Sequence, residues 1–391
     1  MSILPQPAPP SPARGPRFDR HELAGSLGDL GTFLPLLVGM SSQNGLDFGA
    51  SLFFAGVFNL VTGFTFAIPM AVQPMKAIAA VALSQGLTAP QIMAAGIIVS
   101  VVILVLGLTG LIGTLDRVVP RSVVRGLQLS LGLTLITKGM SMISGTHTWL
   151  GWDSHVTALG AGLVVLTLVG SRVLPAALVL FVAGIALALG HDPGVMHQLR
   201  LGFTLPQWSP PAWDDFRVAL PKAALPQIPL TTLNSVIAVC ALSSTLFPDR
   251  PASTRRVSVS VGLMNLVAGW FGGMPMCHGA GGLAGQYRFG ARTSGSIIAL
   301  GAAKVTAAVL FGASLMGLCR AFPASVLGVM LMFSGLELGA VFRDQKNRAD
   351  AFVGLLTAGV SLALNNVGAG FVAGLAASWL LRAPWVRFER D

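Results

Sequence analysis

Gly272–Arg292 reads GGMPMCHGAGGLAGQYRFGAR, and Ile68–Ala80 reads IPMAVQPMKAIAA. Each sets a Pro-Met pair beside a glycine-rich or proline-interrupted stretch in otherwise apolar sequence, and each runs on into a short helical segment. Proline lacks the amide donor and clashes with the turn before it, so Pro74 and Pro275 forbid a continuous helix at those points. In lipid, unpaired backbone survives only where it is buried in protein or lines a polar cavity. Past each break a fresh helix begins, with free N–H groups and a partial positive charge. Two such starts, one from each half of the chain, suit an anion held between them.

The rest of the composition agrees with a membrane setting. The 391 residues are 53% hydrophobic and 10% charged, where a soluble domain carries about a quarter charged residues. The formal charge of +10 raises nucleic acid as a partner, but the basic residues lie in the segments between apolar runs, so topology explains them and no nucleic acid is expected. Cys240, Cys277 and Cys319 sit in apolar surroundings without a CxxC or Cys/His spacing, which indicates neither disulfides nor a metal, and no cofactor motif is present. The opening MSILPQPAPPSPARGPR is proline-rich and lacks an apolar core. It reads as a disordered cytoplasmic tail over residues 1–20, not a signal peptide.

Spanning helices need about 20 apolar residues. Full-length candidates start near Glu22, Ser51, Pro90, Pro120, Val156 and Leu174, then near Val218, Thr254, Gly295, Phe322, Ala349 and Gly368. Pro74–Gln85 and Gly279–Arg288 are too short to cross alone and sit third in each half. The expectation is an all-α polytopic membrane protein of 14 segments, a 7+7 inverted repeat with half-helices as segments 3 and 10. The first repeat covers 21–190, an extracytoplasmic loop 191–216, the second repeat 217–384 and a C-terminal tail 385–391. With the N-terminus inside, seventeen basic loop residues face inward and four outward, in accord with the positive-inside rule. Both termini are then cytoplasmic, in a plasma or inner membrane.

The residues that can carry chemistry cluster at the breaks. Gln73, Met75 and Lys76 open the first half-helix; His278, Gly279, Ala280 and Gly281 open the second. Glycines let an anion approach backbone N–H groups closely; small residues also suit plain helix packing. Lys76 offers positive charge to a dianion, or snorkels to an interface. Lys138 and Lys304 read as structural or interfacial. Asp29, in GSLGDLGTFLPL, is a candidate for a coupling proton or cation, or a partner for a lysine. Glu337, the other carboxylate within a span, is expected to meet the basic loop after it. Thr32, Gln227, Thr231 and Asn234 supply neutral donors, and Gln227 and Thr231, at i and i+4, share a helix face. His278 titrates near neutrality in water. No Gly-x-Ser-x-Gly elbow, phosphate loop or acidic pair speaks for an enzyme.

PMAVQPMKAIAA, GGMPMCHGAGGLAGQYRFG and GSLGDLGTFLPLLVGM resemble the molybdate transporter family, a branch related to the sulfate permease superfamily. The likeness runs from about Arg20 to Arg382. It implies a core and a scaffold bundle, with substrate between half-helices 3 and 10 beside segments 1 and 8. The C-terminal regulatory domain of typical sulfate permeases is expected to be absent, since the chain ends at Trp385–Asp391, and a homodimer is left open. The implied function is secondary active transport of molybdate by alternating access, with tungstate or sulfate as competitors. Rival readings are a sulfate, dicarboxylate or nucleobase transporter of the same architecture, an anion channel, or a membrane-embedded enzyme.

Overall fold

The computed structural model describes residues 15–171, 174–194 and 201–381. Residues 1–14 of the tail expected over 1–20, the tail expected at 385–391, and the loop charges Arg14, Arg172, Arg200, Arg382, Arg387 and Arg390 lie outside the described residues.

Among the described residues six helices are long and apolar enough to cross a membrane: Arg20–Asn44, Phe48–Phe66, Ala89–Thr109, Trp213–Leu246, Gly295–Gly312 and Ala324–Asp344. The outer helices display leucines such as Leu159, Leu163 and Leu166, each more than half exposed. An apolar belt of this kind is untenable in water and natural in lipid. The protein is an integral, multi-pass membrane protein.

Five of the expected full-length spans come out short, among them Thr254–Ala268 with 15 residues. His155–Leu168 and Val367–Leu380 have 14 residues, and Ala176–His191 and Arg348–Ala363 have 16, about 21–24 Å of helix. Their ends are fixed locally. Ser154, Asn347 and Asn366 accept first-turn N–H groups, which places the helix starts where the capping side chains stand. The long crossing Trp213–Leu246 is irregular as Pro226 and Pro229 suggest: π-helical turns at Leu220–Ala224 and Thr231–Ile237 interrupt it, the usual response to donors that proline removes.

Glycines set how closely the helices approach. Arg121–Ser144 packs along Ala324–Gly339, where a Cβ on Gly132 would lie 2.6 Å from the Gly335 carbonyl oxygen, and one on Gly335 2.5 Å from that of Gly132. Only backbone fits there. Phe48–Phe66 packs on Gly295–Arg320, and Ala89–Thr109 on Thr254–Ala268. Glu22 fixes the start of Gly295–Arg320, accepting from the backbone N–H groups of Arg292 (2.9 Å), Thr293 (2.8 Å) and Ser296 (3.3 Å).

At the centre lie two short helices, Lys76–Gln85 and Ala280–Arg288, of 10 and 9 residues. Each is preceded by a three-residue strand, Val72–Pro74 and Met276–His278. The strands pair antiparallel, with Val72 opposite His278, Gln73 opposite Cys277 and Pro74 opposite Met276. The Met75 N–H donating to the Pro275 carbonyl (2.9 Å) extends the ribbon.

Candidate functional site

The interrupted backbone is satisfied group by group, as burial in lipid requires. On the ribbon's outer edge Asn265 takes both polar groups of Met276: the N–H donates to Oδ1 (2.6 Å) and the carbonyl accepts from Nδ2 (2.7 Å). Ser51 Oγ accepts from the Met274 N–H (3.0 Å). Pro74 stands on the opposite edge, where its missing N–H leaves no orphan donor.

The two short helices start on either side of this ribbon, at the head of a cavity of about 590 Å³. Thr32, Gln73, Lys76, Gln227, Asn234, Gly279, Ala280 and Gly281 all line it. Eight of the expected binding residues, drawn from distant parts of the chain, thus share one chamber. Met75, Thr231 and His278 do not line it. Met75 is buried in the hydrophobic core, because it is the last residue before the helix and turns inward. Thr231 is buried and accepts from Gln227 Nε2 (2.8 Å). His278 faces away through the strand's alternation. Its ring nitrogens meet the Ala71 carbonyl (3.2 Å) and Ser260 Oγ (2.9 Å), and Phe66 packs edge-on against the ring.

The two helix starts differ. At the first, Gln227 Oε1 accepts from the N–H groups of Ala77 (2.9 Å) and Ile78 (3.3 Å), a cap provided from the other half of the chain. At the second the N-cap residue, Gly279, has no side chain to offer, and Gly279, Ala280 and Gly281 open onto the cavity. The glycine run is therefore divided, its first part facing the cavity and its second part packing. Gly282 and Gly285 form a packing face, where a Cβ would fall 2.9 Å from Asp29 Oδ1 and 2.7 Å from the Gly28 carbonyl oxygen respectively.

Lys76 is the cation at the head of the cavity, and among the described residues it makes no ion pair within 4 Å. Asp29 lies just behind the wall formed by Gly28, Gly31 and Thr32; it is 1% exposed and accepts at Oδ1 from Gln73 Nε2. Gln73 Nε2 also reaches Thr32 Oγ1 (3.1 Å).

Of two charged residues, Lys304 takes the structural one of its two readings, and the expectation for Glu337 needs correction. Lys304 is not interfacial: it is 5% exposed, its Nζ lies 3.6 Å over the Phe33 ring, and no hydrogen-bond acceptor reaches it. The helix face it occupies turns inward toward Arg20–Asn44, which residue type alone did not reveal. Glu337 does not pair with the basic loop after it among the described residues; it lines the cavity wall with Phe333. The ion pair in that loop is made by its own Asp344, which accepts from Arg125 Nε of Arg121–Ser144 at 2.8 Å. Arg125, Gln128, Ser235, Cys277 and Arg288 also line the cavity and were not singled out from sequence. Ser235 donates to Cys277 Sγ (3.1 Å). Position i+1 from Asn234 was the one signal that pointed to Ser235.

A family model described as "Molybdate transporter of MFS superfamily" matches residues 21–135 and 219–338, which include both short helices and the ribbon. The chain belongs to this molybdate transporter family. It is 40% identical to "Molybdate transporter 2" of Arabidopsis thaliana over 92% of this chain and 87% of that protein. To "Molybdate transporter 1" of Chlamydomonas reinhardtii it is 37% identical, over 90% of each. The relatives are named transporters, not enzymes. Among solved structures the fold resembles that of SLC26A9 (TM-score 0.67, 15% identity), covering 92% of this chain and 64% of that one. It also resembles the transmembrane domain of a cyanobacterium bicarbonate transporter, BicA (TM-score 0.65, 14% identity), covering 91% of this chain and 97% of that one. The chain thus spans somewhat under two thirds of SLC26A9. The family description names the MFS superfamily, whereas the fold is that of the SLC26 type.

Proposed function

We propose that this protein carries molybdate across its membrane by alternating access, with the anion held between the starts of Lys76–Gln85 and Ala280–Arg288. The observation that carries the reading is the pair of short helices joined by a ribbon at the head of a cavity that also holds Lys76. A tetrahedral oxyanion presents acceptors only. Lys76, Asn234, Thr32 and the backbone N–H groups near Gly279–Gly281 are the donors opposite it, and the Gln73 and Gln227 amides line the same chamber. Coupling to a proton through Asp29 belongs to the same reading.

The architecture we infer is a 7+7 inverted repeat over 21–190 and 217–384. Segments 1–4 and 8–11 form the core, and 5–7 and 12–14 the scaffold. Pairings support it. One two-fold operation exchanges the contact of Phe48–Phe66 on Gly295–Arg320 with that of Ala89–Thr109 on Thr254–Ala268. The same operation maps the ribbon and the Arg121–Ser144/Ala324–Gly339 crossing onto themselves. The positive-inside bias puts both termini in the cytoplasm, and the cavity flank at Arg125 and Arg288 then faces inward.

Uptake of molybdate into proteoliposomes, with tungstate, sulfate, bicarbonate and uracil as competitors, tests the substrate. Saturable molybdate uptake that Lys76→Met and a Gly281→Val change both abolish is expected. Uptake unchanged in both variants, or single-channel currents in place of carrier kinetics, overturns it.

A further inference from the structure

Gln73 joins Asp29 to the anion site in a way that depends on where one proton sits. Its Nε2 donates to Asp29 Oδ1 and approaches Thr32 Oγ1. The other end of the amide, Oε1, then faces the start of the second short helix, and it is the first atom that a Cβ on Gly279 would meet. Gln73 is 3% exposed and Asp29 1%, so neither is free to exchange its partner for bulk water. Asp29 Oδ2 is buried with no hydrogen-bond partner.

The charged and titratable groups acting on Asp29 are Lys304, from Gly295–Arg320, Lys76, from the first short helix, and Cys277, from the second strand. The second short helix turns Gly282 and Gly285 toward the Leu27–Asp29 turn and adds no charge there. Lys304 is held over Phe33 without an acceptor.

An ionised carboxylate only accepts, so it must take the amide's N–H and leave the amide oxygen fronting the anion site. A protonated carboxyl also donates. We propose that Gln73 is a relay: a proton taken up by Asp29 turns the Gln73 amide over and puts a donor where the anion site had an acceptor. In the first state Oε1 repels an oxyanion at the second helix start. In the second state Asp29 O–H donates to Oε1, and Nε2 donates to the anion. Asp29 gains one O–H bond as a hydronium ion in the cavity water loses one and becomes water, and the rotation of the Gln73 amide changes no covalent bond. The relay rests on the proposed transport function and assigns its coupling step: one proton enters with each anion.

Molybdate affinity of the full-length protein, measured from mildly acidic to mildly basic pH, reads this directly. Wild type is expected to bind about tenfold more tightly per unit fall in pH across the Asp29 titration, the linkage of one proton to one anion. Asp29→Asn, whose amide N–H mimics the protonated acid, is expected to bind as tightly as acidic wild type, with no pH slope. Gln73→Met keeps Asp29 but has no amide to turn, so it is expected to bind weakly with the slope gone. Melting temperature establishes that each variant is folded. A wild-type slope in either variant overturns the relay, and Gln73→Met alone decides it where Asp29→Asn does not fold. Wild-type proteoliposomes that take up no molybdate at any pH overturn the transport function; uptake whose affinity is flat with pH overturns the relay alone.

Discussion

Asn265 is the side chain on which the ribbon's outer edge depends, and Asn265→Leu tests that dependence. The substitution keeps the volume nearly constant and removes both partners of Met276, whose N–H and carbonyl bond to Asn265 at 2.6 and 2.7 Å. Asn265 is 1% exposed, so water does not replace it without the core opening. Each buried group left unpaired costs about 1–3 kcal/mol, so the two together cost about 2–6 kcal/mol. The third bond, from Nδ2 to the Val261 carbonyl, adds little, because that carbonyl already accepts within its helix. At about 2 °C per kcal/mol for a large domain, the melting temperature in detergent is expected to fall by roughly 4–12 °C. Molybdate affinity should weaken in parallel, since Cys277 and Gly279 follow Met276 directly. Asn265→Asp separates the two bonds. It keeps the acceptor for the N–H and sets a carboxylate against the carbonyl, so it should be at least as destabilising as Leu. A Leu variant that melts with wild type and binds molybdate unchanged would refute the assignment of the ribbon as the element that holds the second helix start.

Further outcomes follow from other contacts. Lys76→Met should weaken molybdate binding by roughly 10–100-fold, the loss of one charge-assisted contact at a partly desolvated site, whereas Lys76→Arg should retain part of it; isothermal titration reads both. Gly28→Ala drives a methyl into the Gly285 backbone, where a Cβ would lie 2.6 Å from the carbonyl carbon; it should lower the melting temperature by several degrees and abolish uptake. Arg125→Ala removes the ion pair to Asp344, which is open to solvent, so the stability lost should be under about 1 kcal/mol, seen as a near-unchanged melting curve.

Proline and glycine carried most of what could be read in advance. Pro74 and Pro275 act through a local rule, so the two short helices and their starts were legible from neighbouring residues alone. The ribbon was not. Its strands are three residues long, too short for an alternating pattern, and their pairing joins residues about two hundred positions apart. Gln227 was marked as a donor for an anion, yet its Oε1 caps the first short helix; which partner an amide takes depends on tertiary approach. Lys304 shows the same limit: a lysine in an apolar span is ambiguous until the face it occupies is known. The short outer helices were overestimated at their far ends: they start within two residues of the expected places, but helices such as His155–Leu168 and Ala176–His191 stop before twenty residues are reached.

The ladder between Val72–Pro74 and Met276–His278 also constrains motion. Displacing one short helix along the membrane normal without the other would shear these backbone bonds, in surroundings that offer no water to replace them. The two helix starts are therefore tied as one body, and their separation is held constant while the surrounding helices shift. Under the proposed alternating access, the pocket would change the side it opens toward with both helix starts moving together, so the coordination that an ion meets on entry would also be the one it must leave.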